Sequence, residues 1–239
     1  MNHFSIILFL ALFNGYQIIA KNRSIHDSTT ISIKLFIHGY YAGNGKMKPV
    51  LHNQGKTNNL LIVDTLHVLV HSKNYPYETL HSYQAILSTN GILNCTIKSM
   101  DGKYFISIKT RRGIETWTSH PIKLNKKHVK YNFTRSSSQA YGKNMIQVEY
   151  GKWAFLSGDV NQDGFIDFFD FTLIDKSYMD FIFGFNRSDI NGDGNVDLYD
   201  KIFIEKFLDL NQDQIVDQLD EKILIKNPHL SIHVKRPMN

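Results

Sequence analysis

From Ser28 to Leu156, apolar residues recur at every second position. Ile31, Ile33, Leu35 and Ile37 alternate with Ser32, Lys34, Phe36 and His38; Leu66, Val68 and Val70 alternate with Thr65, His67 and Leu69; Tyr104, Ile106 and Ile108 alternate with Phe105, Ser107 and Lys109. A period of two puts each apolar set on one face of an extended strand, so these segments read as half-buried strands. Asn90-Gly91, between QAILST and ILNCTI, predicts a two-residue hairpin because both residues tolerate positive φ, and Asp101-Gly102 predicts another turn before the strand at Tyr104. Strands punctuated in this way, with no helical pattern among them, predict an antiparallel, immunoglobulin-like β-sandwich over residues 28–156. After residue 156 the pattern changes. Phe168–Tyr178, Leu198–Leu208 and Gln218–Lys226 are helix-compatible, and each follows an Asp that suits a helix start: Asp167, Asp197 and Asp217. The expected class is therefore α+β in two parts, a sandwich followed by a small helical domain at 157–227 and a C-terminal tail at 228–239.

Residues 1–20 fall outside both patterns. They contain no Lys, Arg, Asp or Glu, and Ile6–Phe13 is an unbroken apolar run. A core of about eight residues suits a signal peptide and is well short of the ~20 needed to span a bilayer. Cleavage near Ala20–Lys21 and a secreted or cell-surface mature protein are expected, with no later segment apolar enough to be transmembrane. Cys95, the single cysteine, alternates with Leu93 and Ile97 and reads as a small buried apolar residue.

Composition sharpens the division. With 239 residues, 42% of them hydrophobic, 5 Pro and 1 Cys, the chain is neither disordered nor collagen-like nor a disulfide miniprotein. Its net charge of +5 hides two opposite parts. Between Asp159 and Glu221, 14 Asp and 2 Glu face Lys176, Arg187, Lys201 and Lys206, a net −12, so the remainder carries +17. The basic part includes Arg111-Arg112 and the run Lys123–Lys130, consistent with a solvated surface or with binding to an acidic glycan, to nucleic acid or to the acidic block itself.

The sandwich shows little catalytic patterning. There is no G-x-S-x-G, no H-E-x-x-H and no glycine-rich phosphate loop. His67 and His71 on one strand face would lie about 13 Å apart, too far to share a metal. The acidic residues outside the block, Asp27, Asp64, Glu78, Asp101, Glu115 and Glu149, show no spacing that pairs two of them across a sugar ring. Tyr40-Tyr41, Tyr75, Tyr77, Tyr83, Trp117 and Tyr131 either fill the sandwich or, where exposed, stack on sugars.

The acidic block carries the strongest signal, one twelve-residue pattern repeated three times. The first copy runs from Asp159 through Asn161, Asp163, Phe165 and Asp167 to Asp170; the second from Asp189 through Asn191, Asp193, Asn195 and Asp197 to Asp200; the third from Asp209 through Asn211, Asp213, Ile215 and Asp217 to Asp220. Positions 1, 3, 5, 9 and 12 bear oxygen side chains, position 7 offers its carbonyl, and position 8 is Ile166, Val196 or Val216. That is the ligand schedule of an EF-hand-type calcium loop, in which glycine at position 6 makes the sharp turn and the β-branched residue packs between paired loops. Each loop gathers four carboxylates that repel one another without a cation, so calcium is expected to act as a folding partner. Two calcium sites are expected in full and a third, weaker one at 209–220. There Gln214 replaces Gly164 and Gly194, and positive φ at a non-glycine costs on the order of 1 kcal/mol. Magnesium suits such a cage poorly because it gives up its waters reluctantly.

Loop followed by helix, with Asp at position 12 and no helix required before the first loop, resembles the type I dockerin repeat. The resemblance implies calcium ligation by the residues of the first two loops, with Phe165 and Asn195 as carbonyl donors. It implies a non-catalytic module that binds a cohesin-like or other extracellular protein. The wider order of Leu35–Gly55, Ser107–Asn125, Ser136–Asn144 and Trp153–Phe171 resembles the C-terminal sandwich and dockerin-like region of secreted Bacteroidetes proteins. Cohesin-recognising dockerins often carry Ser-Thr at loop positions 10 and 11, whereas this chain has Phe168-Phe169, Leu198-Tyr199 and Gln218-Leu219. Either the partner surface is more apolar or these side chains pack against the sandwich.

Three functional readings follow. The first is a secreted, calcium-stabilised anchoring or interaction module associated with extracellular polysaccharide breakdown. The second is a glycan-active hydrolase or carbohydrate-binding protein with a dockerin-like anchor. The third is a calcium-rigidified surface protein. Polysaccharide is the second class of partner, and no nucleic-acid partner is expected.

Overall fold

The computed structural model describes residues 27–208 and 232–237. The signal-peptide segment, the third loop and the segment Gln218–Lys226 lie outside the described residues. The strands in chain order are β1 (Ser28–Lys34), β2 (Tyr41–Gly43), β3 (Lys46–Met47), β4 (Ile62–His71), β5 (Thr79–Ser88), β6 (Ile92–Lys98), β7 (Lys103–Lys109), β8 (Thr116–Trp117), β9 (Ile122–Lys123), β10 (His128–Asn132), β11 (Ile146–Glu149), β12 (Lys152–Ala154), β13 (Phe165–Ile166) and β14 (Ile232–His233). The helices are α1 (Val50–Asn53), α2 (Phe168–Met179) and α3 (Leu198–Leu208).

The body is one curled sheet in the order β10-β1-β6-β5-β4-β7-β8, with β9 also on β7. Alternation does what the sequence pattern requires of it. Ile31 and Ile33 on β1 pair with Cys95 and Leu93 on β6, and all four lie inward with Leu66, Val68, Val70, Ile106 and Ile108. Phe133, Ala140, Met145, Ala154 and Phe155, from the chain that follows β10, belong to the same core. Each fully buried aliphatic or aromatic side chain contributes about 1.5–3 kcal/mol. The two-part α+β architecture thus stands, with one departure: β1 and β10 run parallel, Ile31 beside Val129 and Ile33 beside Tyr131.

The β5–β6 turn also differs from the expected form. Only Gly91 has positive φ, +79°, and its N–H donates to the Ser88 carbonyl at 2.7 Å. Strand β5 ends at Ser88 and β6 begins at Ile92, so the connection has three residues, with the glycine taking the left-handed position.

A second apolar cluster joins the body to the helices. Ile114 and Leu156 from the body meet Val160, Ile166, Ile174, Ile190, Ile204 and Leu208. Helices α2 and α3 pack side by side, pinned by the Lys201–Asp175 ion pair at 2.7 Å. His38 lies against Phe203 and Phe207 of α3 at centroid distances of 4.3 and 5.9 Å. Within the span expected to be a tail, β14 pairs antiparallel with β13, and Val234 N–H donates to the Gly164 carbonyl at 2.8 Å.

Candidate metal centre

Both described loops close on themselves through the same hydrogen bonds. At position 3, Asn161 Oδ1 accepts from Asp163 N–H at 2.8 Å, and Asn191 Oδ1 accepts from Asp193 N–H at 2.9 Å. At position 5, Asp163 Oδ1 and Asp193 Oδ1 accept from Phe165 N–H and Asn195 N–H, each at 2.9 Å. At position 9, Asp167 and Asp197 accept from Phe169 N–H at 2.9 Å and Tyr199 N–H at 2.8 Å. At position 12, Asp170 spans its loop: Oδ1 accepts from Val160 and Asn161 N–H, and Oδ2 from Asp167 N–H. Asp200 repeats this with Asn191 and Asp197 N–H at 2.9 and 3.0 Å. Positions 9 and 12 therefore form a reciprocal cap at the start of each helix. The local reason is short range: at positions 3, 5 and 9 an Asx side chain reaches the N–H two residues on, and these three turns wind the chain into a ring.

Two positions in each loop need positive φ. Gly164 and Gly194, at position 6, have φ of +94° and +99°. Position 4 also sits there, as Gln162 at +66° and Gly192 at +73°, a requirement that Gln162 hides in the sequence. The position-8 residues Ile166 and Val196 are buried as expected, but their loops do not pair with each other. Ile166 belongs to β13 and pairs with Ile232 of β14, whereas Asn195 bridges to Phe183 and Val196 N–H donates to the Ile182 carbonyl. Each loop has instead found its own extended partner elsewhere in the chain.

The body grips the second loop but not the first in the same way. Gln54 Nε2 donates to Asp189 Oδ2 at 2.5 Å, Lys48 Nζ donates to the Asn191 carbonyl at 2.9 Å, and Asn53 Nδ2 donates to the Gly192 carbonyl at 2.8 Å. Asp189 also accepts from Gly192, Asp193 and Gly194 N–H. Buried Arg112, hydrogen-bonded to the Tyr40 hydroxyl at 2.7 Å, draws Asp189 toward its ionised form against the push of burial.

The donor set fits a hard cation. Every side chain at positions 1, 3, 5, 9 and 12 offers oxygen, and Asp159, 3% exposed, keeps Oδ1 without a hydrogen-bond partner among the described residues. As the side chains stand, no three acidic, His or Cys groups among the described residues converge closely enough to hold a metal ion; the carboxylates have turned to backbone N–H groups. Burial lifts Asp159 to about 7, with Asp170 and Asp163 adding to the push. Burial also lifts Asp170 to about 6 and Asp200 to about 7 and raises Asp189 and Asp167.

The sign of the pH effect follows. An unfolded Asp ionises near pH 3.9, so between there and about 7 the unfolded chain has lost protons that the folded loops still hold. Stability from these groups is full below the unfolded value and is lost as pH rises through the folded one. In EDTA at pH 7.5, Asp159→Asn should melt at a higher temperature than the parent, and at pH 4 the two should coincide. With calcium the order at pH 7.5 should reverse, because a ligand is gone. His38 and His71, held near 4 chiefly by burial, lose stability in the opposite direction, as pH falls, and cancel in a variant-against-parent comparison at fixed pH.

Elsewhere the candidate chemistry is quiet. Cys95 is buried and its thiol is pushed up to about 11 by burial. A bulge between Val70 and His71 turns His71 inward, while His67 stays exposed. Asp64 is paired with Arg111 at 2.9 Å, Glu149 with Lys152, and Glu115 with Arg236 at 3.6 Å.

Residues 157–208 match the dockerin type I domain family. Two solved structures from Acetivibrio cellulolyticus resemble the chain. One is a C-terminal interface mutant of a type II cohesin–X-dockerin complex, 16% identical with a TM-score of 0.46. The other is an N-terminal interface mutant of that complex, 17% identical with a TM-score of 0.41. Each alignment covers 74% of this chain and 94% of the other. No curated protein matches in sequence. Residues 157–208 are thus a dockerin type I domain, a class of calcium-binding interaction module found in extracellular and cell-surface proteins, and no described helix is long and apolar enough to cross a membrane.

Proposed function

We propose that the chain is a secreted, non-catalytic anchoring module. Its 157–208 region would hold two calcium ions and dock a cohesin-type partner in the service of extracellular polysaccharide breakdown. Asp159, Asn161, Asp163, Phe165, Asp167 and Asp170 would hold one ion and Asp189, Asn191, Asp193, Asn195, Asp197 and Asp200 the other. A third, weaker set would run from Asp209 to Asp220. Calcium would supply positive charge that lets four carboxylates share one ring.

The observation that carries the docking reading is the exposure of the position-10 and position-11 side chains. Phe169 is 73%, Leu198 51% and Tyr199 72% exposed, whereas Phe168 is half-buried, so three of these four residues face solvent. Leu173 on α2 and Ile202 on α3 extend the apolar face beside them, at the i+4 spacing that aligns side chains on one side of a helix. The hydrogen bonds at positions 9 and 12 fix the first turn of each helix, so the loops set where this face points.

The test is binding to a panel of recombinant cohesins with and without EDTA. A captured cohesin should lose at least about a hundredfold in affinity with Phe169→Asp plus Tyr199→Asp, which places charge where apolar anchors should be desolvated. EDTA should cause a similar loss. If no cohesin binds in calcium, the rigid-spacer reading replaces this one.

A further inference from the structure

The sheet body carries a second cavity, one wall of which, His233 and Val234, also pairs with the first loop at Phe165 and Gly164. Beside the end of β4 lies a cavity of about 440 Å³ walled by Tyr75, Tyr77, Trp117 and Tyr141 and closed on one side by the strand-end segment after β14. Its volume is in the range of small-ligand sites, about 300–1,000 Å³. Two features are not explained by packing alone. Tyr77 sits at φ +60°, a region that bulky residues avoid. Tyr75, at the rim, is 67% exposed, with its ring set edge-on to Tyr77 at 6.1 Å and 88°.

The polar groups are arranged for a ligand of mixed hydrogen-bonding character. Glu115 lines the cavity at 9% exposure. Its counterion Arg236, 61% exposed at the side chain, stands off at 3.6 Å, leaving both groups free to bond to something between or beside them. His71 stacks on Trp117 at 3.8 Å and 23°. Its two nitrogens are committed to Ser107 Oγ at 2.8 Å and Thr79 Oγ1 at 3.1 Å, so it braces the indole and is not itself available.

A ligand here must give a donor to Glu115, an acceptor to Arg236 and an apolar face to the tyrosines. Hydroxyl groups both donate and accept, and the C–H faces of a pyranose ring stack on aromatic rings. A quaternary ammonium would suit the rings and Glu115 but would meet Lys235 and Arg236. An anion would meet Glu115. We propose that this cavity binds a single neutral pyranose unit of a polysaccharide, making the sheet body a carbohydrate-binding element. No residue of the exposed face on α2 and α3 lines the cavity, so the proposal does not rest on cohesin docking and can fail separately.

The experiment is calorimetric titration of the calcium-loaded full chain with methyl glucoside, methyl galactoside, methyl xyloside, cellotetraose and xylotetraose, with glucuronate and tetramethylammonium chloride as counter-probes. At least one neutral sugar should bind, and Tyr75→Ala and Glu115→Gln should each weaken it about tenfold or more, equivalent to about 1.4 kcal/mol. Tyr75 is a rim residue, so its variant should keep the parent melting temperature and give an informative result whether or not Glu115→Gln folds. The proposal is overturned by no neutral-sugar binding at about 10 mM, by affinity unchanged in both variants, or by tighter binding of glucuronate or tetramethylammonium.

Discussion

Chelating calcium should lower the melting temperature of the helical region by roughly 20–40 °C. At a hundredfold excess over Kd each bound ion adds about 2.7 kcal/mol to folding, so two add roughly 5; a small domain shifts by about 4–8 °C per kcal/mol. The effect is expected to be large because the loops are not appendages. Val160 and Ile166 of the first loop and Ile190 of the second belong to the apolar cluster that seats Ile174 of α2 and Ile204 of α3. Loosening a loop therefore loosens the helix that follows it. The position-12 carboxylates Asp170 and Asp200 are fully buried and raised toward neutrality by burial, so in EDTA near neutral pH the folded loops carry a charge cost that a cation removes. Differential scanning fluorimetry in EDTA, in calcium and in magnesium measures the gain. Asp159→Ala combined with Asp189→Ala should abolish most of it, while Asp217→Ala should change it little. A melting temperature indifferent to calcium would remove the basis for the metal-centre reading.

The parts of this molecule that were legible in the sequence are those in which neighbouring residues decide the outcome. The strand faces of β1 and β4 follow from alternation, whereas β7, read as half-buried, is buried on both faces from Phe105 to Ile108. The helices at 168–179 and 198–208 follow from an Asp at position 9 that caps the first turn and an Asp at position 12 that returns the bond. The parallel β1–β10 pair was not legible, because nothing in Val129 or Tyr131 states which edge it will join. Nor was the grip of Lys48, Asn53 and Gln54 on the second loop, since those residues lie more than 130 positions away and bear no pattern. The three-residue β5–β6 turn departs from the local signal because Asn90-Gly91 favours a two-residue hairpin, whereas Leu35 N–H donating to Gly91 O and Met47 N–H donating to Thr89 O hold the longer one. Among the aromatic residues, sequence could not separate Phe36 and Phe155, buried in the core, from Tyr75 and Phe169, which are exposed; that separation decides where ligands can bind.

Gly39→Ala should cost about 3 kcal/mol, at the upper end of what one added methyl in a packed interior usually costs, and should weaken calcium binding at the second loop. The glycine is not needed for its backbone, since its φ lies outside the left-handed region. It is needed for the absence of a side chain: a Cβ there would stand 2.1 Å from the Ile190 carbonyl oxygen, a backbone atom that cannot rotate away. Ordinary contact begins near 3.4 Å, so the 189–192 segment would have to retreat by more than an ångström. That retreat would pull Asp189 from Gln54, Asn191 from Lys48 and Gly192 from Asn53, and would lift Ile190 from the shared apolar cluster. It would also part His38 from Phe203, a contact that burial of the neutral imidazole makes stronger above pH 6.5 than below it. The first loop has no such hold on the body through α1, so its calcium affinity should be nearly unchanged. Calcium titration by calorimetry should therefore show one of two sites weakened, together with a lower melting temperature. Two sites weakened equally would mean that the loops are coupled through α2 and α3, and an unaltered protein would mean that the body and the second loop are not seated together.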